Sequence, residues 1–130
     1  MKTITQENIE MLKRLQPKIE AALGEWRFGD MAYSLTKNIM GYYSSTSTVD
    51  CKGVRICFFN TSMGHLTTDD ELLRVPTLEE LIGMIKEVDV IYHGDGYWYV
   101  ETMYQAKGNG NKAIDLTTAI LKALCAQWEV

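Results

Sequence analysis

The period of apolar positions changes several times along the chain, and it changes most sharply between Val75 and Ala106. Pro76 lacks a backbone N–H and biases Val75 towards extended backbone, so Leu72 to Val75 is expected to arrive as strand or extended chain. Thr77 and Glu80 form a capping box, in which each side chain takes an N–H of the other residue at a helix start. Leu78, Leu81, Ile82 and Ile85 then recur at helical spacing, which predicts a helix with a buried stripe lying on a sheet. After Glu87 the period becomes two: Val88, Val90 and Tyr92 face one way, Asp89, Ile91 and His93 the other. Asp95-Gly96 tolerates positive φ between two β-rich runs, so a hairpin is expected there. Its second arm sets Trp98, Val100, Thr102, Tyr104 and Ala106 on a core face, opposite Tyr97, Tyr99, Glu101, Met103 and Gln105.

The same patterns organise the flanks. Ile9, Leu12, Leu15, Ile19 and Leu23 predict a first helix capped near Thr3 to Gln6, kinked or broken near Gln16 by Pro17, and ended by Gly24. The run from Trp26 to Ser45 reads as two strands joined by a turn at Thr36 to Asn38. A second turn around Asp50 to Gly53 leads into the apolar strand Val54 to Phe59. Asn60 to Glu71 carries Thr, Ser, Gly and Asp and reads as a surface loop. Lys107 to Gly110 breaks the last strand, and Asn111 is expected to cap a final helix whose Ile114, Thr117, Ile120, Leu121, Leu124, Cys125 and Trp128 share a face. The expected fold is α+β in a single domain spanning residues 1–130. About five mostly antiparallel strands carry three helices packed on the sheet, in the order α-β-β-β-α-β-β-α.

At 130 residues with 46% hydrophobic and 23% charged composition, the chain can bury a core of its own. The formal charge of −4, with thirteen scattered basic residues, argues against a face built to hold nucleic-acid phosphates. No apolar run reaches bilayer length and the first residues lack the apolar stretch of a signal peptide, so no membrane contact is expected and the default location is the cytoplasm. Cys51, Cys57 and Cys125 lack CxxC spacing, which points to reduced thiols, with Cys57 a small apolar core residue.

No residue set forms a catalytic or cofactor motif, so no catalytic residue, metal ligand or cofactor is assigned. His65 and His93 have carboxylates nearby, Asp95 among them, but at no ligand-pair spacing on one element. The run Gly108 to Lys112 ahead of a helix is a weak anion-binding candidate through its N–H groups and Lys112. The aromatic residues carry more weight. With Tyr97 and Tyr99 on one face of the hairpin and Trp98 and Tyr104 on the other, either helices cover both faces or one face is left for contacts. The interface candidates are Tyr97, Tyr99, Met103 and, on the first hairpin, Tyr42. These features favour a non-enzymatic protein-interaction module that meets a protein partner or a second copy of itself. The competing reading is a small-molecule-binding protein or enzyme with a pocket between the 60–71 and 93–96 loops, drawing on His65, His93 and Asp95.

Trp26-Arg27-Phe28-Gly29-Asp30, then Pro76-Thr77-Leu78 with Leu81 and Ile82, then a Trp-containing hairpin and a short C-terminal helix follow one another in a telling order. That order resembles a loose group of small uncharacterised phage and prophage proteins, with W-x-x-G-D, P-T-L-x-x-L and a Trp hairpin before an alanine-rich helix. The likeness covers roughly residues 26 to 125 and departs at GNGNKAID, where the group has a T-P-E-E-A-like helix start. It implies an accessory protein of a phage or mobile element and carries no established activity.

Overall fold

The computed structural model describes residues 4–50, 53–60, 64–67, 72–104 and 110–130. It is an α+β protein with, among the described residues, three helices and eight strands, every pairing of which is antiparallel. The chain divides into two compact units. One runs from Lys18 to Pro76; the other joins Thr77–Val130 to the earlier part of the chain up to Pro17.

Helix α1 (Gln6–Leu23) begins as its sequence predicts, with the Thr5 hydroxyl accepting the Asn8 N–H at 3.2 Å. It ends at Gly24, whose φ of 71° and N–H to the Glu20 carbonyl at 3.0 Å close the last turn. Pro17 lies inside it, so of the kink or break expected near Gln16 the break does not occur. Buried Leu12 and Leu15 before the proline and Ile19 after it hold both halves, and the Gln16 amide donates to the Leu12 carbonyl at 3.2 Å.

In the first unit, β1 (Met31–Ser34), β2 (Ile39–Asp50), β3 (Gly53–Asn60), β4 (Gly64–Thr67) and β5 (Leu72–Val75) form one sheet in the order β4-β3-β2-β1-β5. The expected hairpin at residues 35–38 pairs Ser34 with Ile39, and Asn38 takes the left-handed backbone the turn requires. The β2–β3 hairpin pairs Asp50 with Gly53. One segment differs from expectation, while Leu72–Val75 is extended as expected. Gly64–Thr67 is a strand rather than loop, because it pairs with Cys57–Asn60, and Leu72–Val75 completes the far edge against β1.

The segment that closes this unit explains the Trp26 to Asp30 motif. Arg74, 2% exposed, donates to the carbonyls of Gly24 and Glu25, and its guanidinium pairs with the Asp30 carboxylate at 2.9 Å. Trp26 lies 4.7 Å below the guanidinium, and Asp30 also accepts the Arg27 N–H at 2.7 Å. A positive φ of 91° at Gly29 turns the chain so that its N–H reaches the Tyr43 carbonyl at 2.9 Å. Trp26 and Asp30 of the motif therefore serve a buried cation, which needs a counter-ion and carbonyls to offset its lost hydration.

In the second unit, α2 (Leu78–Met84) starts on the complete Thr77/Glu80 capping box. It is shorter than the periodicity predicts: Ile85 is extended, Glu87 has φ of 51°, and only Leu81 is buried while Leu78 and Ile82 are exposed. Its neighbour is α3 (Leu116–Trp128), and the Gln127 side chain ties the two by donating to the Met84 carbonyl and accepting the Lys86 N–H. The strands β6 (Val88–Gly94), β7 (Tyr97–Thr102) and β8 (Lys112–Ala113) form a separate three-stranded sheet in the order β6-β7-β8. Helix α3 packs on β7 and β8, burying Ile120, Leu121 and Leu124 together with Val100 and Ala113. From α1, Asn8 accepts the Thr118 hydroxyl at 2.9 Å.

The start of α3 corrects the sequence reading. Asp115, not Asn111, is the cap, and its carboxylate accepts the Thr118 N–H at 3.1 Å. Asn111 is buried instead and holds the end of β7, donating to the carbonyls of Val100 and Tyr104 and accepting the Val100 N–H. Ile114 and Thr117 are exposed rather than part of the buried face, because the chain is still extended at β8 when the helix was expected to have begun.

Candidate interaction face

The β6–β7 hairpin is closed by Asp95 and Gly96, with φ of 54° and 81°, which is the all-positive geometry of a type I′ turn. That turn fixes the register: Tyr92 opposes Tyr99, His93 opposes Trp98 and Ile91 opposes Val100, while Lys112 and Ala113 of β8 oppose Tyr99 and Trp98. Paired residues point to the same side of a sheet, so the three strands sort their side chains onto two faces.

One face turns to α3. It carries buried Val100 and Ala113 and half-buried Ile91 and Trp98, with the His93 ring tilted against Trp98 at 5.0 Å. The opposite face carries Val90, Tyr92, Tyr97, Tyr99 and Lys112. Tyr92 and Tyr99 stack at 4.7 Å with planes 8° apart, and the Lys112 ammonium lies 4.8 Å over the Tyr97 ring. Val90 is 45%, Tyr92 43% and Tyr97 38% exposed. Continuing the β7–β8 register by one residue brings Ile114, 76% exposed, beside Tyr97. Partial burial first, then the Glu101 carboxylate and Tyr99, hold the Tyr92 hydroxyl above its ordinary titration range.

Large exposed apolar side chains gathered on one face of a small sheet differ from the scattered ones any surface shows. Of the interface candidates read from the sequence, Tyr97 and Tyr99 lie within this face, and Met103, 66% exposed, follows the end of β7. Tyr42 is half-buried on β2, in the sheet of the other unit. Val90, Tyr92 and Ile114 were not among the candidates. The Asp95-Gly96 signal could have found Tyr92, since a two-residue turn sets it opposite Tyr99.

The ligand candidates are placed differently from one another. His93 packs on Trp98 and Asp95 forms the turn. Lys112 belongs to β8 over the tyrosine rings and does not stand at a helix start, so the expected anion cradle ahead of α3 is not formed by it; residues 105–109 lie outside the described residues. His65 pairs through its backbone with Phe59 on β4, and residues 61–63 and 68–71 of the proposed pocket loop lie outside the described residues. Among the described residues no three His, Cys, Asp or Glu side chains cluster as a metal site, and no helix is long and apolar enough to cross a membrane. Cys57 lies on β3, Cys51 is outside the described residues, and burial raises the thiol pKa of Cys125 against the opposing effect of Arg14. Compared with known proteins, the chain matches no family model, no curated protein and no solved structure.

Proposed function

We propose that the protein is a non-enzymatic interaction module whose contact face is the outer side of the β6–β7–β8 sheet. The observation that carries this reading is the exposure of Val90, Tyr92 and Tyr97 together on one face, with exposed Ile114 just past the end of β8. Tyrosine offers large contact area with few rotors, and such residues dominate the energetics of protein interfaces. Exposed rings also suit unstacked bases, but a single ammonium on the face among the described residues and a net charge of −4 favour a protein over a polyanion. The likeness to phage and prophage proteins adds the context: a cytoplasmic accessory protein of a phage or mobile element acting on a host or phage protein.

The test replaces Tyr92 and Tyr97 by Ala and compares affinity enrichment from host cells with the parent chain, alongside urea unfolding. The double variant should keep its unfolding midpoint close to the parent and lose the proteins the parent enriches. Equal enrichment by both chains would overturn the assignment of this face.

A further inference from the structure

Resting on that reading, we infer that the partner includes a second copy of the chain, joined antiparallel along β6 about a two-fold axis at Ile91. Among the described residues strand β6 is an edge of its sheet, hydrogen-bonded to β7 on one side, and five of its seven residues are exposed. Edges of this kind are normally blunted by proline, lysine or a bulge, because an open ladder templates pairing. Here the strand Val88-Asp89-Val90-Ile91-Tyr92-His93-Gly94 holds no proline or lysine, and its register shift lies at one end, between Val88 and Val90.

The hairpin decides which groups look outward. In a two-residue turn the flanking pair, Gly94 and Tyr97, is hydrogen-bonded, and such pairs alternate along the ladder. Gly94, Tyr92 and Val90 therefore spend their N–H and C=O groups on β7, while His93 and Ile91 turn theirs to the open edge. A two-fold at Ile91 makes that residue a hydrogen-bonded pair with its own copy. It brings Val90 against Tyr92 of the second copy at the closely spaced positions where side chains touch, and Asp89, the extra residue of the register shift just before Val90, comes near His93 of the second copy, twice. An axis one residue along, at Tyr92, would instead set Asp89 against Asp95 of the other copy, placing two carboxylates together. Charge complementarity thus selects the Ile91 axis. The pairing would also cover Val90 and Tyr92, two of the exposed apolar groups, and leave Tyr97, Lys112 and Ile114 on a doubled face.

Sedimentation equilibrium of the full chain, from micromolar to millimolar concentration, is expected to show a monomer–dimer equilibrium. His93→Asp should weaken it about tenfold or more by setting like charges opposite one another, and Asp89→Lys should weaken it as well. The double variant Asp89→Lys with His93→Asp should recover most of the loss, a recovery that a merely structural role for either residue would not produce. Since His93 rests on Trp98, urea unfolding of each variant checks the hairpin; exposed Asp89 provides a change that leaves it intact. A parent chain monomeric throughout, or a dimer indifferent to these charges, overturns the pairing. The contact reading fails separately, when Tyr92→Ala with Tyr97→Ala enriches the same proteins as the parent.

Discussion

Two cations in this protein sit at nearly the same distance from an aromatic ring, Arg74 4.7 Å from Trp26 and Lys112 4.8 Å from Tyr97. Their surroundings make them opposites. The Arg74 guanidinium is buried, neutralised by Asp30 and bound to two carbonyls, so its ring contact is one part of a buried polar network. The Lys112 side chain lies across tyrosines that remain partly open to water. A cation over a ring therefore has no fixed meaning: burial decides whether it holds a fold or dresses a contact face.

The largest effect that could break this comparison is Arg74→Met. It strands the Asp30 carboxylate and the carbonyls of Gly24 and Glu25, and removal of one partner of a buried pair costs about 3–5 kcal/mol. Urea unfolding monitored by Trp fluorescence should show a loss of this size, and Arg74→Lys should recover only part of it, since an ammonium cannot serve carboxylate and carbonyls with a planar fork. A loss below 1 kcal/mol, within the range of an exposed pair, would place Arg74 with Lys112 after all.

Second in size is Leu81→Ala, expected to cost about 2–5 kcal/mol as a buried truncation. Leu81 is the one buried residue of α2, so the second unit depends on it as the first depends on Arg74. The same change at exposed Ile82 should cost much less, and equal losses would mean that the helix is seated on the wider stripe its periodicity predicts.

How far the sequence could be read follows from the range of the interactions. The Thr77/Glu80 box and the Asp95-Gly96 turn involve residues no more than three apart, and both stand where their chemistry puts them. The Arg74 socket joins residues 44 and more positions apart, and nothing local to Leu-Arg-Val marks that arginine as buried. The strand Gly64–Thr67 reads as loop because its composition is that of a turn, while its order comes from β3. Asn111 looked like a cap because a cap and a strand clamp use the same amide, and only the position of Val100 and Tyr104 separates them. For the candidate face, alternation in β7 was enough to single out Tyr97 and Tyr99. Tyr92 and Ile114 required the register of both neighbouring strands.

Thr77→Ala should follow at about 1 kcal/mol, through loss of the hydroxyl that accepts the Glu80 N–H at 3.1 Å. The midpoint in urea checks it, and Thr77→Ser, which keeps the acceptor, should restore most of the loss.

The smallest expected effect on stability is that of Lys112→Gln. The ammonium lies over Tyr97 at 4.8 Å and over Tyr99 at 6.0 Å, in a place where water competes for it, so its ring contacts contribute about 0.5–1 kcal/mol at most. Glutamine keeps much of the aliphatic stem that lies along the rings and removes the charge alone. Stability should hence change less than in Thr77→Ala, while association through the face should change in its dependence on salt, because a cation over the tyrosines has been removed. Measuring the unfolding midpoint and the enrichment of bound proteins at low and high salt, for the parent and the variant, reads both quantities. Should Lys112→Gln destabilise as strongly as Arg74→Met, the tyrosine face would be part of a buried network too, and the distinction between the two cations would collapse.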